Sequence, residues 1–196
     1  MKHNGFEYVD LGIPSGTKWA KYNVGAYSET DNGLYFPFGG IVGLDSPYYE
    51  GNFDSHKLKF NGDKKATLHL DNDAAHIHMG GKWHMPTKEQ FEELLDEKNT
   101  VSTWIYDYCI REVSGRLFRS RINNETLFIP ANGFISNHQY VQNGQTCSLW
   151  TSSLDFSSVY NCTDFFCDKY NTYLARTSAY YVCIGIRGVF NTFWIK

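Results

Sequence analysis

The chain has no excess of basic residues: 18 Lys and Arg stand against 21 Asp and Glu, giving a formal charge of −3 and a pI near 6.1. A nucleic-acid surface usually leaves a basic excess or a basic stripe, so nucleic acid is not expected as a partner. The one basic run, Arg111, Arg116, Arg119 and Arg121, is mixed with Ser, Gly and Leu and reads as a solvated strand face. No apolar stretch approaches the length that crosses a bilayer, and the first residues lack the charged-then-apolar order of a signal peptide, so neither membrane insertion nor a leader is expected. Five cysteines, at 109, 147, 162, 167 and 183, include no CxxC pair, which argues against a disulfide framework and a zinc ribbon. Cys162 and Cys167 are separated by an odd number of positions; on one strand they would face opposite ways and not bond each other.

Signatures of catalysis and metal binding are missing too. There is no G-x-S-x-G, P-loop or G-x-G-x-x-G, and no carboxylate pair is spaced for acid–base work, so no catalytic residue is assigned. His76 and His78 are two apart on an expected helix and do not share a face, and with His84 they read as surface or capping residues rather than zinc ligands. Asp71 and Asp73 lack the glycine and distal glutamate of an EF-hand loop and read as a helix cap. No metal and no cofactor are expected. Asn124-Glu-Thr and Asn161-Cys-Thr fit the glycosylation pattern.

What is present is aromatic: 17% of the 196 residues are Phe, Trp or Tyr, and 17 glycines break the chain into short pieces. A length of 196 residues at 42% hydrophobic content suits one core, hence one domain over 1–196. Two helices stand out. In "MPTKEQFEELLDEKN", Thr87 and Gln90 form a capping box and Phe91, Leu94 and Leu95 an apolar face, predicting a helix at about 88–98. In "DNDAAHIHMGG", an Asp/Asn cluster caps the start and Gly80-Gly81 the end. Strands are expected in "EYVDLGI", "LFIPANGFI" (127–135), "SLWTSSL" (148–154) and "YYVCIGIRGV" (180–189), giving an α+β order with strands at both termini. Residues 39–68 read as a long, polar, irregular insertion.

Four stretches in order, "YVDLGIPSGTKWAKYNVGA" (8–26), "GGKWHMPTKEQFEELL" (80–95), "LFIPANGF" (127–134) and "LWTSSL" (149–154), resemble a bacterial domain of the Fibrobacter succinogenes major paralogous type. That domain is a relative of the formylglycine-generating-enzyme branch of the C-type lectin fold. The resemblance implies an α+β C-type lectin fold: two helices, small antiparallel sheets, paired terminal strands, and a loop-rich face that carries the ligand. Similar scaffolds serve the variable proteins of diversity-generating retroelements, whose C-terminal residues are altered by mutation of adenines. Scrambling the adenines of an Asn codon reaches fifteen residue types and never Lys, Glu, Gln, Met or Trp.

Residues 1–153 hold 30 of those five types, whereas 154–184 hold Lys169 alone, 1 of 31 where about 6 would be expected at the earlier rate. The resemblance therefore implies that 154–184 is the variable segment, closed by "CIGIRGV" (183–189) with Arg187 in the family's place and Gly188 where Pro is commoner. Candidate ligand-binding residues are Asp155, Ser157, Tyr160, Asn161, Asp164, Phe166, Asp168, Tyr170, Asn171, Tyr173, Arg176, Tyr180 and Tyr181, a mixture of rings and adaptable polar groups like that of antibody loops. Phe165 and Val182 are expected inside.

The implied function is recognition of a protein or carbohydrate on a cell surface, by several copies in a phage tail or by a bacterial surface or secreted protein. The alternative is a non-diversified surface or adhesion module with a fixed site. A formylglycine-generating-type copper oxidase is disfavoured because its cysteine motif does not map onto these positions, and the Glu-Pro-Asn and Trp-Asn-Asp motifs of calcium-dependent sugar binding are missing.

Overall fold

A computed structural model describes residues 1–48, 67–110, 112–154, 161–178 and 182–191, the side chains of 161 and 178 excepted. An N-terminal meander, β1 (Lys2–His3), β2 (Phe6–Asp10) and β3 (Thr17–Asn23), is followed by α1 (Ala74–Met79) and α2 (Lys88–Leu95). Next come β4 (Thr100–Tyr108), β5 (Val113–Ser120), β6 (Thr126–Pro130), β7 (Phe134–Ser136), β8 (Gln139–Val141) and β9 (Cys147–Leu154). The chain then runs through β10 (Asn161–Cys167), β11 (Thr172–Ser178), β12 (Cys183–Ile184) and β13 (Arg187–Asn191).

Among the described residues, strands account for 47% and helices for 11%, in several small antiparallel sheets, so the fold is β-rich. This replaces the α+β, C-type lectin class that the motifs implied. The physical reason lies in helix length. The Gly80-Gly81 pair and the extended Asp96 stop α1 and α2 after only about two turns, while the aromatic and β-branched runs around them pair as strands. The capping box of α2 is formed: Thr87 Oγ1 accepts from the Gln90 N–H at 3.3 Å and Gln90 Oε1 accepts from the Thr87 N–H at 2.9 Å. The helix ends at Leu95, short of 98, because Asp96 turns back and its Oδ1 accepts from the Lys98 N–H at 2.9 Å.

Four sheets organise the described residues, in the orders β1-β2-β3-β13, β4-β5-β6, β7-β8 with β12 beside β7, and β9-β10-β11. Strand β13 pairs antiparallel with β3, Val189 opposite Trp19, so the first and last described strands share one sheet. Gly133, at φ +58°, begins the β7–β8 hairpin where a Cβ would run into the Val141 carbonyl, so only glycine fits. Of the expected insertion, Leu44 pairs with Tyr35 and Thr67 with Ser153; residues 49–66 lie outside the described residues.

Two main cores lie on opposite sides of the β9-β10 pair. Trp150 and Cys162 enter one with Phe36, Phe38 and Trp83; Leu149, Cys147, Phe165 and Cys167 enter the other with Trp19, Phe91 and Phe118. Alternation along an extended strand explains how Cys162 and Cys167 reach different cores. Arg187 is wholly buried and ties β13 to β3 and β6: Nε donates to Asn23 Oδ1 (2.9 Å), Nη1 to the carbonyls of Ala20 (3.1 Å) and Lys21 (2.6 Å), and Nη2 to that of Phe128 (3.1 Å).

Candidate functional site

The β10–β11 hairpin presents most of the described candidates, and its turn is specified locally. Asp168 Oδ1 accepts from the N–H groups of Tyr170 (2.7 Å) and Asn171 (2.6 Å), while the Asp168 N–H donates to the Asn171 carbonyl (3.0 Å). Such an Asx-type turn needs a short side chain that accepts from its own backbone. Burial opposes ionisation of Asp168, but the Asn171 and Tyr170 N–H groups outweigh it and hold the carboxyl below its ordinary value.

From beneath, Arg116 of β5 donates through Nη2 to the carbonyls of Asp168 and Asn171. Only 7% of Arg116 is exposed, and its Nε has no partner among the described residues. The expected solvated basic face is thus corrected at this position: Arg116 points inward because the hairpin turn supplies carbonyls for it. Arg119 and Arg121 are exposed, and Arg111 lies outside the described residues.

Near its turn, the hairpin has two chemically distinct sides; further along, Cys162 and Asp164 are buried on the second side as well. Phe165, Cys167 and Leu174 face the core, where Phe165 stacks on Phe91 of α2 with centroids 4.9 Å apart and planes at 10°. Phe166 is half-buried and tilts against Tyr173 at 5.2 Å. Tyr170 is 78% exposed and Tyr173 48%, with Asn171 exposed beside them; Arg176 is exposed too, but opposite Thr163 on the Leu174 side of the strand. Phe166, Asp168, Tyr170, Asn171, Tyr173 and Arg176 are therefore brought together on one hairpin. Asp155, Ser157, Tyr160, Tyr180 and Tyr181 lie outside the described residues, as does the side chain of Asn161. Val182 is half-buried against the first core.

Asp164 is corrected: it is 3% exposed and is not displayed. It sits in the central strand of three, opposite Trp150 on β9 and Ala175 on β11, and that position encloses it. Its Oδ1 has no partner among the described residues. Burial pushes its pKa up to about 6, against a smaller opposing influence from the Thr177 hydroxyl.

Beside the hairpin runs a groove of about 470 Å³ whose far wall carries Trp104 and Tyr106 of β4 and Gln142 and Gln145 of the loop before β9. Phe166 and Tyr170 form its near wall. Sequence reasoning missed Trp104 and Tyr106. The available signal was their period-2 spacing in "TVSTWIYDY", which sets both rings on one side of a strand. The Arg116 guanidinium lies 5.7 Å from the Trp104 ring centroid and the Lys169 ammonium 4.5 Å from that of Tyr170, so each ring is backed by a cation.

Cys147 and Cys167 are directly opposite on β9 and β10; both are buried and reduced, as are Cys162 and Cys183, while Cys109 is exposed. Burial raises the Cys147 thiol well above its ordinary value, and its Sγ donates to the Ile129 carbonyl at 3.3 Å. A ring nitrogen of each of His76, His78 and His84 lies against a backbone carbonyl, of Trp83, Ile41 and Met85 respectively. Among the described residues no three His, Cys, Asp or Glu side chains gather as a metal site, and no helix is long and apolar enough to cross a membrane.

Compared with protein-family models, with curated proteins and with solved structures, the chain matches none.

Proposed function

We propose that the chain is a ligand-binding protein of the retroelement-diversified kind, in which segment 154–184 displays varied side chains on a fixed β-rich frame. The observation that carries this reading is the two-sidedness of the β10–β11 hairpin. Towards its turn, the inner side is locked by Phe165, Leu174 and the Arg116 clamp, while Tyr170, Asn171 and Tyr173 stand exposed. Substitution at the exposed positions leaves core packing alone, which is what a diversified surface requires. The scarcity of Lys, Glu, Gln, Met and Trp in the segment supports the same reading. Binding needs no catalytic group and no cofactor. The ligand would be a protein or carbohydrate on a cell surface, met by a phage tail or a bacterial surface assembly in which several copies add avidity.

The test is deep sequencing of this locus across a population of its source. The expected result is substitutions confined to adenine positions of codons within 154–184, with a reverse transcriptase and a near-identical template repeat nearby. Substitutions indifferent to base and position, or no variation at all, would leave a fixed adhesion module as the better description.

A further inference from the structure

The groove beside the hairpin has two walls of different origin. Phe166 and Tyr170 lie within the segment read as variable, whereas Trp104, Tyr106, Gln142 and Gln145 lie outside it. Trp and Gln are also types that Asn-codon scrambling never produces, so the far wall is constant under that mechanism. We propose that this groove binds the sugar rings of a glycan, with the constant wall setting the ligand class and the hairpin wall setting which glycan is preferred. The proposal rests on the ligand-display reading above and names its ligand class.

Four observations favour sugar rings over other occupants. The groove offers flat aromatic surfaces from both sides, and Trp104 is held in place by Arg116 behind it, so little ordering is needed on binding. Gln142 and Gln145 each carry a donor and an acceptor, matching hydroxyl groups that both donate and accept. The volume of about 470 Å³ falls within the range of small-ligand sites. The charges, finally, are occupied: the Asp168 carboxylate is taken up by its own turn and the Lys169 ammonium lies over Tyr170. That leaves no strong field to favour a polyanion or an acidic peptide. A peptide hot spot would instead need a deep, desolvated pocket for one side chain, whereas Tyr106 and Tyr170 are both exposed.

The test is titration of the chain with free di- to tetrasaccharides, covering neutral hexoses, N-acetylhexosamines and uronic acids. Binding is read by saturation-transfer NMR of the sugars and by intrinsic fluorescence. Among the described tryptophans only Trp104 is not fully buried, so it reports on the groove. The expected result is millimolar or tighter binding of at least one sugar, weakened at least about tenfold by Trp104→Ala or Gln145→Ala. Trp104→Phe should retain binding, which separates loss of the stacking ring from loss of fold, and Tyr170→Ala should change the order of preference among sugars. Absence of any sugar binding, or binding indifferent to Trp104 and Gln145, would overturn the proposal. The adenine-restricted substitution pattern is scored independently. If that pattern holds without sugar binding, only the ligand class is wrong; if it is absent, the display reading fails whatever the sugars do.

Discussion

Replacing Arg187 by Ala should destabilise the protein by about 3–5 kcal/mol, the usual cost of disrupting a buried charge network. The guanidinium is wholly enclosed and donates to three backbone carbonyls and the Asn23 amide oxygen, joining β13 to β3 and β6. Burial draws its pKa down to about 10, with Glu29 pushing the other way, so it stays charged at neutral pH. Removing it leaves the carbonyls of Ala20, Lys21 and Phe128 without these donors in a dry core, each at a desolvation cost. For a chain of this length the melting temperature should fall by on the order of 10 °C. Arg187→Lys should lie between, because an ammonium cannot reproduce the planar fork that spans two strands. Denaturant unfolding decides the matter: an Ala variant within about 1 kcal/mol of the parent would mean that the network contributes little.

Asp164→Asn should act in the opposite direction. The folded carboxyl titrates near 6, above its ordinary value of 3.8, because burial disfavours the charge. A raised folded pKa means that the associated stability is fully present below about pH 4 and is lost as pH rises through 6. Roughly two pKa units correspond to about 3 kcal/mol at neutral pH, and the Asn amide recovers part of it, since its own NH₂ needs a partner in that site. The expected gain at pH 7 is therefore about 1–3 kcal/mol, with the stability slope between pH 4 and 6 flattened. Unfolding curves for both proteins across that window provide the check; a variant less stable than the parent at pH 7 would contradict this account.

Local chemistry was readable in the sequence. Thr87 and Gln90 announce the start of α2 because a capping box is a contact between neighbours, and Asp73 caps α1 by accepting from the His76 N–H for the same reason. The class of the fold was not readable. Two well-signalled helices drew the reading toward α+β, although they are brief and most of the described residues around them pair as strands. At the site, the alternation of Phe165 inward and Phe166 outward follows from strand period alone. Burial of Asp164 does not, because a carboxylate's residue type argues for exposure and only the flanking strands enclose it. Trp104 and Tyr106 were missed because their approach to Tyr170 spans more than sixty residues of chain and depends on how the β4-β5-β6 sheet meets the turn after β10. Arg116 was misplaced for a related reason: its partners are carbonyls of a distant turn, which no composition argument reveals.

The central claim is that the exposed side of the β10–β11 hairpin can change while the frame holds. Its most direct test is the folded fraction, by protease resistance, of two pooled libraries encoded by scrambled Asn codons. One varies Tyr170, Asn171 and Tyr173; the other varies Phe165, Cys167 and Leu174. The account predicts that most members of the first pool resist protease as the parent does, whereas most of the second are degraded. Equal loss in both pools would contradict it, because the exposed residues would then be part of what holds the fold together.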